Sequence, residues 1–174
     1  MNNELQFGIQ TNGIKHTHLD PMPDIDHRFS MVKEAKVFDY VDKTPEQDEI
    51  ISFLKAKDKY QIPIKAGGWF YTVGEHKSLL KKNLLTAQNL GSTVHNTQIQ
   101  AINSDGNLVT NSEVRDVYLE AYDMGLKLGV TPCFEVHVNM WSEDFLRVTE
   151  VGNLVEKKGV EFNITLDHSH VIFK

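Results

Sequence analysis

Two ionisable side chains stand in an apolar stretch near the C-terminal end of the sequence. The run Cys133–Val138 has the composition of a buried β-strand, and it contains Glu135 and His137. Because side chains alternate along a strand, residues 135 and 137 leave the same face. A carboxylate in an apolar strand is costly unless it is paired, hydrogen-bonded or bound to a metal ion. Glu135 is therefore either a functional carboxylate or an ordinary buried Glu bonded to a neighbouring strand.

A second group of potential metal ligands follows the next strand-like run, Val160–Leu166. It consists of Asp167, His168 and His170. An Asp at a strand end and a His three residues later can bind one cation across a tight turn. Carboxylate oxygen together with imidazole nitrogen suits Mn²⁺, Co²⁺, Zn²⁺ or Fe²⁺ better than Ca²⁺. His168 is the alternative ligand. If the segment has no function, it is a polar strand end with solvated histidines.

Aromatic and histidine residues on two earlier segments are candidate substrate contacts. In Gly67-Gly68-Trp69-Phe70-Tyr71 we expect the glycines to turn the backbone while Trp69 or Phe70 lines a pocket, where an aromatic ring can stack on a sugar. The segment lacks the glycine spacing of a nucleotide-binding loop. His95 is either a core histidine or a residue that faces the site. With His137 and His168, Trp69 and His95 complete the expected substrate-binding set.

Two further candidates are weaker. The pair His16-x-His18 resembles the metal-binding pair of amidohydrolase barrels, but it lies several residues past the first strand, and a solvated loop is the preferred reading. Cys133 stands in an apolar context with no basic neighbour, so we interpret it as a packing residue and not as a nucleophile.

The elements that must position these residues alternate along the whole chain. Helical stripes with i, i+3, i+4 spacing separate short β-rich runs. The predicted strands are Leu5–Gln10, Val37–Val41, Ile62–Lys65, Val94–Ile102, Cys133–Val138 and Val160–Leu166. The clearest stripes are Leu80/Leu84/Ala87, Val114/Val117/Ala121/Leu128 and Val148/Val151/Val155. Six strands with five helices between them predict an α/β fold with a parallel sheet.

Capping residues support these helices. Thr44-Pro45-Glu46-Gln47 has the pattern of a capping box, and Thr110 with Glu113, or Asn111 itself, can cap the helix that runs toward Leu128. Ser142 is expected to cap the next helix. Three helices are expected to end at a glycine just before a strand, at Gly91, Gly129 and Gly159.

The spacing of the strands leaves two architectures open. Strand starts recur about every 31 residues, which is the period of a (β/α)₈ barrel of roughly 250 residues. The 174 residues of this chain hold six such strands. The pattern alone fits either an open doubly wound sheet or a TIM-type barrel that lacks its seventh and eighth units.

Composition restricts the classes of function. Lys and Arg total 18 against 24 Asp and Glu, so the formal net charge is −6 and the sequence pI is about 5.7. This balance argues against nucleic-acid binding, which needs a basic surface. A single cysteine excludes an intrachain disulfide, and the sequence shows neither a signal peptide nor a run long enough to cross a membrane. We expect a cytoplasmic protein that binds a small molecule and no membrane.

The two C-terminal strands also resemble a known group of enzymes. A strand carrying Phe-Glu-Val-His, a helix, and a strand ending Leu-Asp-His-Ser-His resemble the xylose isomerase-like TIM-barrel superfamily. The closer resemblance is to its sugar phosphate isomerase/epimerase group, which is related to endonuclease IV-type DNA-repair enzymes. That group has a metal-binding Glu on its fifth strand and Asp-x-x-His on its sixth. The resemblance implies Glu135, Asp167 and His170 as ligands of a divalent metal (Mn, Co, Zn or Mg), and Glu135 as a catalytic acid/base residue.

The sequence departs from this group in two respects. The group completes its metal site with a His on the seventh strand and a Glu on the eighth, and neither strand is recognisable here. At the end of the second strand, Asp42 or Lys43 stands where relatives often have Glu. We therefore expect one partial TIM-barrel domain over residues 1–174, truncated after strand 6. A natural short form completed by a second subunit is the alternative, because unpaired apolar edge strands favour association into a homo-oligomer.

The expected function follows from the resemblance. It implies a metal-dependent isomerase or epimerase of a sugar or keto-sugar, in which the metal holds two substrate oxygens and Glu135 moves a proton through an enediolate. The missing strands would have to be supplied for activity. The alternative from another class is a non-catalytic sugar-binding barrel or an inactive fragment. A metal-dependent dehydratase, an amidohydrolase and a DNA-repair phosphodiesterase are less favoured.

Overall fold

The computed structural model describes residues 5–11, 23–65 and 67–167. Strands and helices alternate along these residues as the sequence pattern predicts, except at one place where two strands follow each other directly. The strands are β1 (Gly8–Gln10), β2 (Tyr40–Asp42), β3 (Ile64–Lys65), β4 (Gly68–Tyr71), β5 (Val94–Ile99), β6 (Thr131–Val136) and β7 (Ile164–Leu166). The helices are α1 (Ile25–Ala35), α2 (Ile50–Tyr60), α3 (His76–Leu90), α4 (Asn111–Leu128) and α5 (Phe145–Glu156), and a 3₁₀-helix covers Trp141–Glu143.

All strand pairs are parallel, and neighbours in the sheets are neighbours in sequence. One sheet has the order β1-β2-β3 and the other has the order β4-β5-β6-β7. A doubly wound sheet would reverse its strand order at a switch point, whereas a TIM-type barrel adds each strand next to the previous one. The observed order is therefore that of a barrel, which decides between the two predicted architectures.

The third strand of the barrel is divided at the junction between the two sheets, and the predicted strand Ile62–Lys65 corresponds to its first part, β3. β3 pairs with β2, β4 pairs with β5, and residues 66–67 lie between them. Of the two glycines expected to turn the backbone, Gly67 has a positive φ of 81°, whereas Gly68 is the first residue of strand β4. Its aromatic run Trp-Phe-Tyr fits a pleated, half-buried surface, and this preference outweighs the two preceding glycines.

The three helical stripes are confirmed. Helices α3, α4 and α5 bury the predicted apolar residues against β4–β7, in a core that includes Phe134 and Trp141. A second core lies between β1–β3 and helices α1 and α2, where the rings of Phe29 and Phe53 pack edge to face with centroids 5.8 Å apart. The helices thus cover the outer face of the strands, and the inner face is left for polar side chains.

Two of the predicted helix starts are wrong, and one is confirmed. Thr110 and Glu113 form the expected capping box at the start of α4. Helix α2, however, begins at Ile50, and Thr44 is buried beside the junction of the two sheets. Asp144, and not Ser142, caps α5, since its side chain accepts a hydrogen bond from the N–H of Leu146.

The ends of two helices agree with the glycine rule. Gly91 and Gly129 take the left-handed conformation that closes α3 and α4. In the described part of the chain, no helix has both the length and the apolar character that crossing a membrane requires.

Candidate active site

A cavity of about 270 Å³ lies at the carboxyl ends of the strands and is lined by both sheets. Polar side chains dominate its wall. The lining residues are Gln10, Asp42, Lys43, Thr44, Gly68, Phe70, Asn96, Gln98, Glu135, His137 and Asp167. In parallel α/β folds this edge of the sheet is where substrates bind. The cavity therefore defines the candidate active site, and three of the residues singled out in the sequence, Glu135, His137 and Asp167, meet there.

Glu135 is held by contacts on both its side chain and its backbone. The residue is 9% exposed, and its Oε2 accepts a hydrogen bond of 2.7 Å from the amide Nε2 of Gln98 on β5. Its carbonyl oxygen accepts a hydrogen bond of 2.6 Å from the hydroxyl of Ser142. An amide donor stabilises the charged form of a carboxylate and fixes its orientation. The strand therefore presents a buried, oriented carboxylate to the cavity.

His137 follows β6 and is oriented by its own loop. Its Nδ1 lies 2.7 Å from the carbonyl oxygen of Val138. Because a carbonyl only accepts, Nδ1 carries the hydrogen, and in the neutral ring Nε2 carries the lone pair. The Ser142 hydroxyl that binds Glu135 also accepts a hydrogen bond from the N–H of His137, at 3.1 Å. One short 3₁₀-helix thus fixes the backbone of both residues.

Asp167 comes directly after β7 and lines the same cavity. Glu135 on β6 is in register with Thr165 on β7. Asp167 comes two residues after Thr165, so its side chain leaves the same face of the sheet as that of Glu135. The other two predicted residues of this group, His168 and His170, lie outside the described residues, as do His16 and His18. Within the described ranges, no group of three or more His, Cys, Asp or Glu residues could hold a metal ion.

Solved structures with the same architecture identify the fold. The chain matches the structure of a D-allulose 3-epimerase from Methylomonas sp. with a TM-score of 0.75 and 12% sequence identity, over 97% of this chain and 64% of that chain. It matches the probable 3-DHS dehydratase AsbF from Bacillus anthracis with a TM-score of 0.71 and 11% identity, over 95% and 64% of the two chains. It also matches the structure of the zinc-containing IOLI protein. The TM-score is 0.63 at 14% identity, over 91% of this chain and 62% of that chain.

The chain has the fold of a TIM-type barrel, which it shares with these solved structures. The sequence-based resemblance is thereby confirmed at the level of fold, and the matched structures include several sugar epimerases. The chain spans about 64% of the length of the first two structures described above. At the level of sequence, it matches no family model and no curated protein.

Two of the expected substrate contacts face the outside of this barrel. Trp69 packs against the core under the helices, and the neighbouring Phe70 is the aromatic residue that lines the cavity. Gly68 and Phe70 face inward because side chains alternate along β4. The ring of Phe70 contacts the ring of His137 edge to face, with centroids 6.1 Å apart. Trp69 is therefore a packing residue. Phe70, the alternative named in the sequence analysis, is the aromatic residue in the cavity wall.

His95 is also placed in the core and not in the barrel mouth. It is fully buried under α3, and the hydroxyl of Tyr71 lies 2.7 Å from its Nε2. That hydroxyl also accepts a hydrogen bond from Asn83, so its own hydrogen is directed to His95. Burial lowers the pKa of His95 to about 4. Of the two alternatives for His95, the structure shows the core histidine, and the ring does not line the candidate active site.

Several residues of the barrel interior were not singled out by the sequence. Asn96 and Gln98 occupy the face of β5 that His95 does not, and Asn96 accepts a hydrogen bond of 2.6 Å from Thr165. Their neighbours in the strand are also polar, so the pattern did not indicate which face is inside. Cys133 does not line the cavity, and burial raises the pKa of its thiol, which keeps it protonated and agrees with a packing role.

Proposed function

We propose that this protein is a divalent-metal-dependent isomerase or epimerase of a sugar or keto-sugar. The observation that carries the proposal is that Glu135 and Asp167, on neighbouring strands, line one polar cavity at the catalytic end of a barrel. Matched structures of the same fold include a D-allulose 3-epimerase in complex with D-allulose and the zinc-containing IOLI protein. These likenesses concern the fold, and the activity of this chain is our inference from its residues.

The described residues give the cavity two candidate ligands for a metal ion. Two carboxylates enter it from β6 and the end of β7, and carboxylate oxygens are ligands that Mn²⁺, Mg²⁺, Co²⁺ and Zn²⁺ accept. We propose Glu135, Asp167 and His170 as the ligands that this chain supplies. When bound, such a metal polarises the carbonyl group of a substrate and lowers the cost of negative charge on its oxygen.

The protein groups account for orientation and proton movement. Glu135 takes a proton from, or returns it to, the carbon next to the carbonyl, which requires a carboxylate held within hydrogen-bond reach of that carbon. Gln98 fixes one oxygen of this carboxylate, as described above. Phe70 and His137 supply ring surface on the same wall, and amides such as Asn96 can bind substrate hydroxyl groups.

The proposal is tested by an interconversion assay on the protein expressed from its complete gene. D-allulose, D-fructose and L-ribulose are incubated with the protein and Mn²⁺, Co²⁺, Mg²⁺ or Zn²⁺, and the products are separated by chromatography. Glu135→Gln should lower kcat at least about 1,000-fold, because a neutral amide cannot accept the proton. Glu156→Gln, which changes an exposed Glu on α5 in the same way, should leave the rate unchanged.

The other outcomes separate the alternatives. Metal and ketose binding without turnover in the wild-type protein would favour the non-catalytic sugar-binding barrel. A rate unchanged in Glu135→Gln would contradict the role given to this residue. Loss of water from a sugar acid or keto acid, with no interconversion of ketoses, would favour a dehydratase.

A further inference from the structure

Asp42 brings a third carboxylate into the cavity from the other sheet. It is the last residue of β2, whereas Glu135 and Asp167 belong to β6 and to the end of β7. Asp42 is in register with Gln10 on β1, and both line the cavity. Asp42 and Gln10 therefore form one wall of the cavity, and Glu135, the proposed proton-transfer residue, lies on a strand of the other sheet.

The surroundings of Asp42 do not explain a carboxylate as a purely structural residue. In the described part of the chain, the N–H of Gly67 is its one hydrogen-bond donor, at 2.5 Å, and no Lys, Arg or His there forms an ion pair with it. Lys65, its register partner on β3, instead contacts the side-chain oxygen of Gln6, at 2.5 Å. Burial raises the pKa of Asp42, so the site opposes its charge. Partly buried carboxylates are normally offset by more donors or by a cation.

The backbone around Asp42 is built closely enough to hold the side chain in one place. Gly67 has a φ of 81°, and a Cβ there would lie 2.5 Å from Oγ1 of Thr44 and 2.7 Å from the backbone carbon of Lys43. The carbonyl of Gly67 accepts a hydrogen bond of 2.7 Å from the N–H of Asn96. The same residue thus ties Asp42 to the second sheet, across the point where the barrel strand divides.

We propose that Asp42 is a substrate-binding residue, whose carboxylate accepts a hydrogen bond from a hydroxyl group of a polyhydroxy ligand on the wall formed by β1 and β2. A substrate hydroxyl group would give this carboxylate a hydrogen bond in addition to that from the N–H of Gly67. The inference rests on the proposed function, since it places the part of the sugar away from the reacting carbon against Asp42 and Gln10. It assigns to Asp42 a role in substrate affinity and none in metal binding.

The test measures two affinities on the protein expressed from its complete gene. Calorimetric titration gives the affinity for Mn²⁺, and a second titration with D-allulose or D-fructose, at saturating Mn²⁺, gives the affinity for the ketose. Asp42→Ala should weaken ketose binding about 10- to 100-fold, which is the range for a lost hydrogen bond to a charged group. Asp42→Asn, which keeps the shape and an acceptor for the Gly67 N–H, should give a smaller loss in the same direction.

Both variants should bind Mn²⁺ as the wild type does, and Asp123→Ala, an exposed Asp on α4, should change neither affinity. Wild-type ketose affinity in both Asp42 variants would overturn this inference and leave the proposed function standing. Weaker Mn²⁺ binding in Asp42→Asn would also overturn it, since Asp42 would then act on the metal. A wild-type protein that binds Mn²⁺ but neither ketose would overturn the proposed function and this inference with it.

Discussion

The hydrogen bond between Gln98 and Glu135 is the contact on which the proposed chemistry depends most directly. It fixes the orientation of a carboxylate that we propose both as a metal ligand and as the proton-transfer group. Hydrogen-bond partners that orient a metal ligand commonly contribute 10- to 100-fold to metal affinity or activity.

Gln98→Leu should therefore weaken the binding of Mn²⁺ by about tenfold, because the carboxylate of Glu135 loses its orienting donor. Calorimetric titration measures this change. Gln88→Leu is the matched control, since Gln88 is an exposed residue on α3 whose amide donates a hydrogen bond to the carbonyl of Leu128 at the end of α4. Equal Mn²⁺ affinities in Gln98→Leu and the wild type would show that Gln98 does not position the ligand.

His95 makes the stability of the fold depend on pH. Its Nε2 accepts the hydrogen of the Tyr71 hydroxyl, and its Nδ1 has no partner among the described residues. Burial disfavours the charged ring, and this lowers the pKa of His95 to about 4 from its ordinary 6.5. The unfolded chain takes up the proton more readily, so the free energy of unfolding falls as the pH falls from 6.5 toward 4.

We expect His95→Gln to lose less stability than the wild type between pH 7 and pH 4.5, by about 2–3 kcal/mol. Urea unfolding of both proteins at the two pH values measures the difference, and the carboxylates common to both proteins cancel in the comparison. The same loss in the two proteins would mean that His95 is not buried as a neutral ring.

At the scale of the elements, the junction between β3 and β4 determines how the barrel wall continues from one sheet to the other. Gly67 has a left-handed φ and lies in close contact with Thr44 and Lys43. Gly106 has the same φ of 81°, and nothing lies within 4 Å of the place where its Cβ would be. An Ala at Gly106 would cost only the left-handed backbone conformation, whereas an Ala at Gly67 would also bring its Cβ too close to neighbouring atoms.

Gly106→Ala should lower the free energy of unfolding by about 1 kcal/mol, the cost of the left-handed conformation. Gly67→Ala should lower it by about 2 kcal/mol more, because the added methyl group must displace backbone atoms. Denaturant unfolding of both variants gives the two values. Equal losses would contradict the close packing of this junction.

The elements also show what the sequence could and could not predict. The stripes of α3, α4 and α5 are clear because one face of each helix is apolar. In β6, Glu135 stands out because the residues around it are apolar. In β5 both faces are polar, with His95 and Thr97 under the helices and Asn96 and Gln98 in the cavity, so alternation could not identify the inner face.

At the scale of the whole molecule, the period of the strands left an open doubly wound sheet and a TIM-type barrel as alternatives, and the strand order in the structure decided for the barrel. The position of the divided third strand could not be predicted. It depends on Gly67 packing against residues more than 20 positions earlier, and no local pattern records such a contact. The candidate metal site likewise depends on two strands whose register only the folded sheet fixes.

A ligand that binds only the native state must stabilise the whole protein. At a Mn²⁺ concentration 100 times the dissociation constant, the gain is about 2.7 kcal/mol, which raises Tm by about 5–10 °C for a domain of this size. We expect this increase in the wild type and a much smaller one in Asp167→Asn. Thermal unfolding with and without Mn²⁺ measures it, and an unchanged wild-type Tm at saturating metal would speak against a formed site.

The most direct test of the central claim is the incorporation of deuterium from D₂O into a ketose. The protein expressed from its complete gene is incubated with D-allulose or D-fructose and Mn²⁺, and the label is located by mass spectrometry and by NMR after the metal is removed. Our account predicts one deuterium at the carbon next to the carbonyl with the wild type, and none with Glu135→Gln. Interconversion of the ketoses without deuterium at that carbon, or equal labelling by the two proteins, would contradict proton transfer by Glu135.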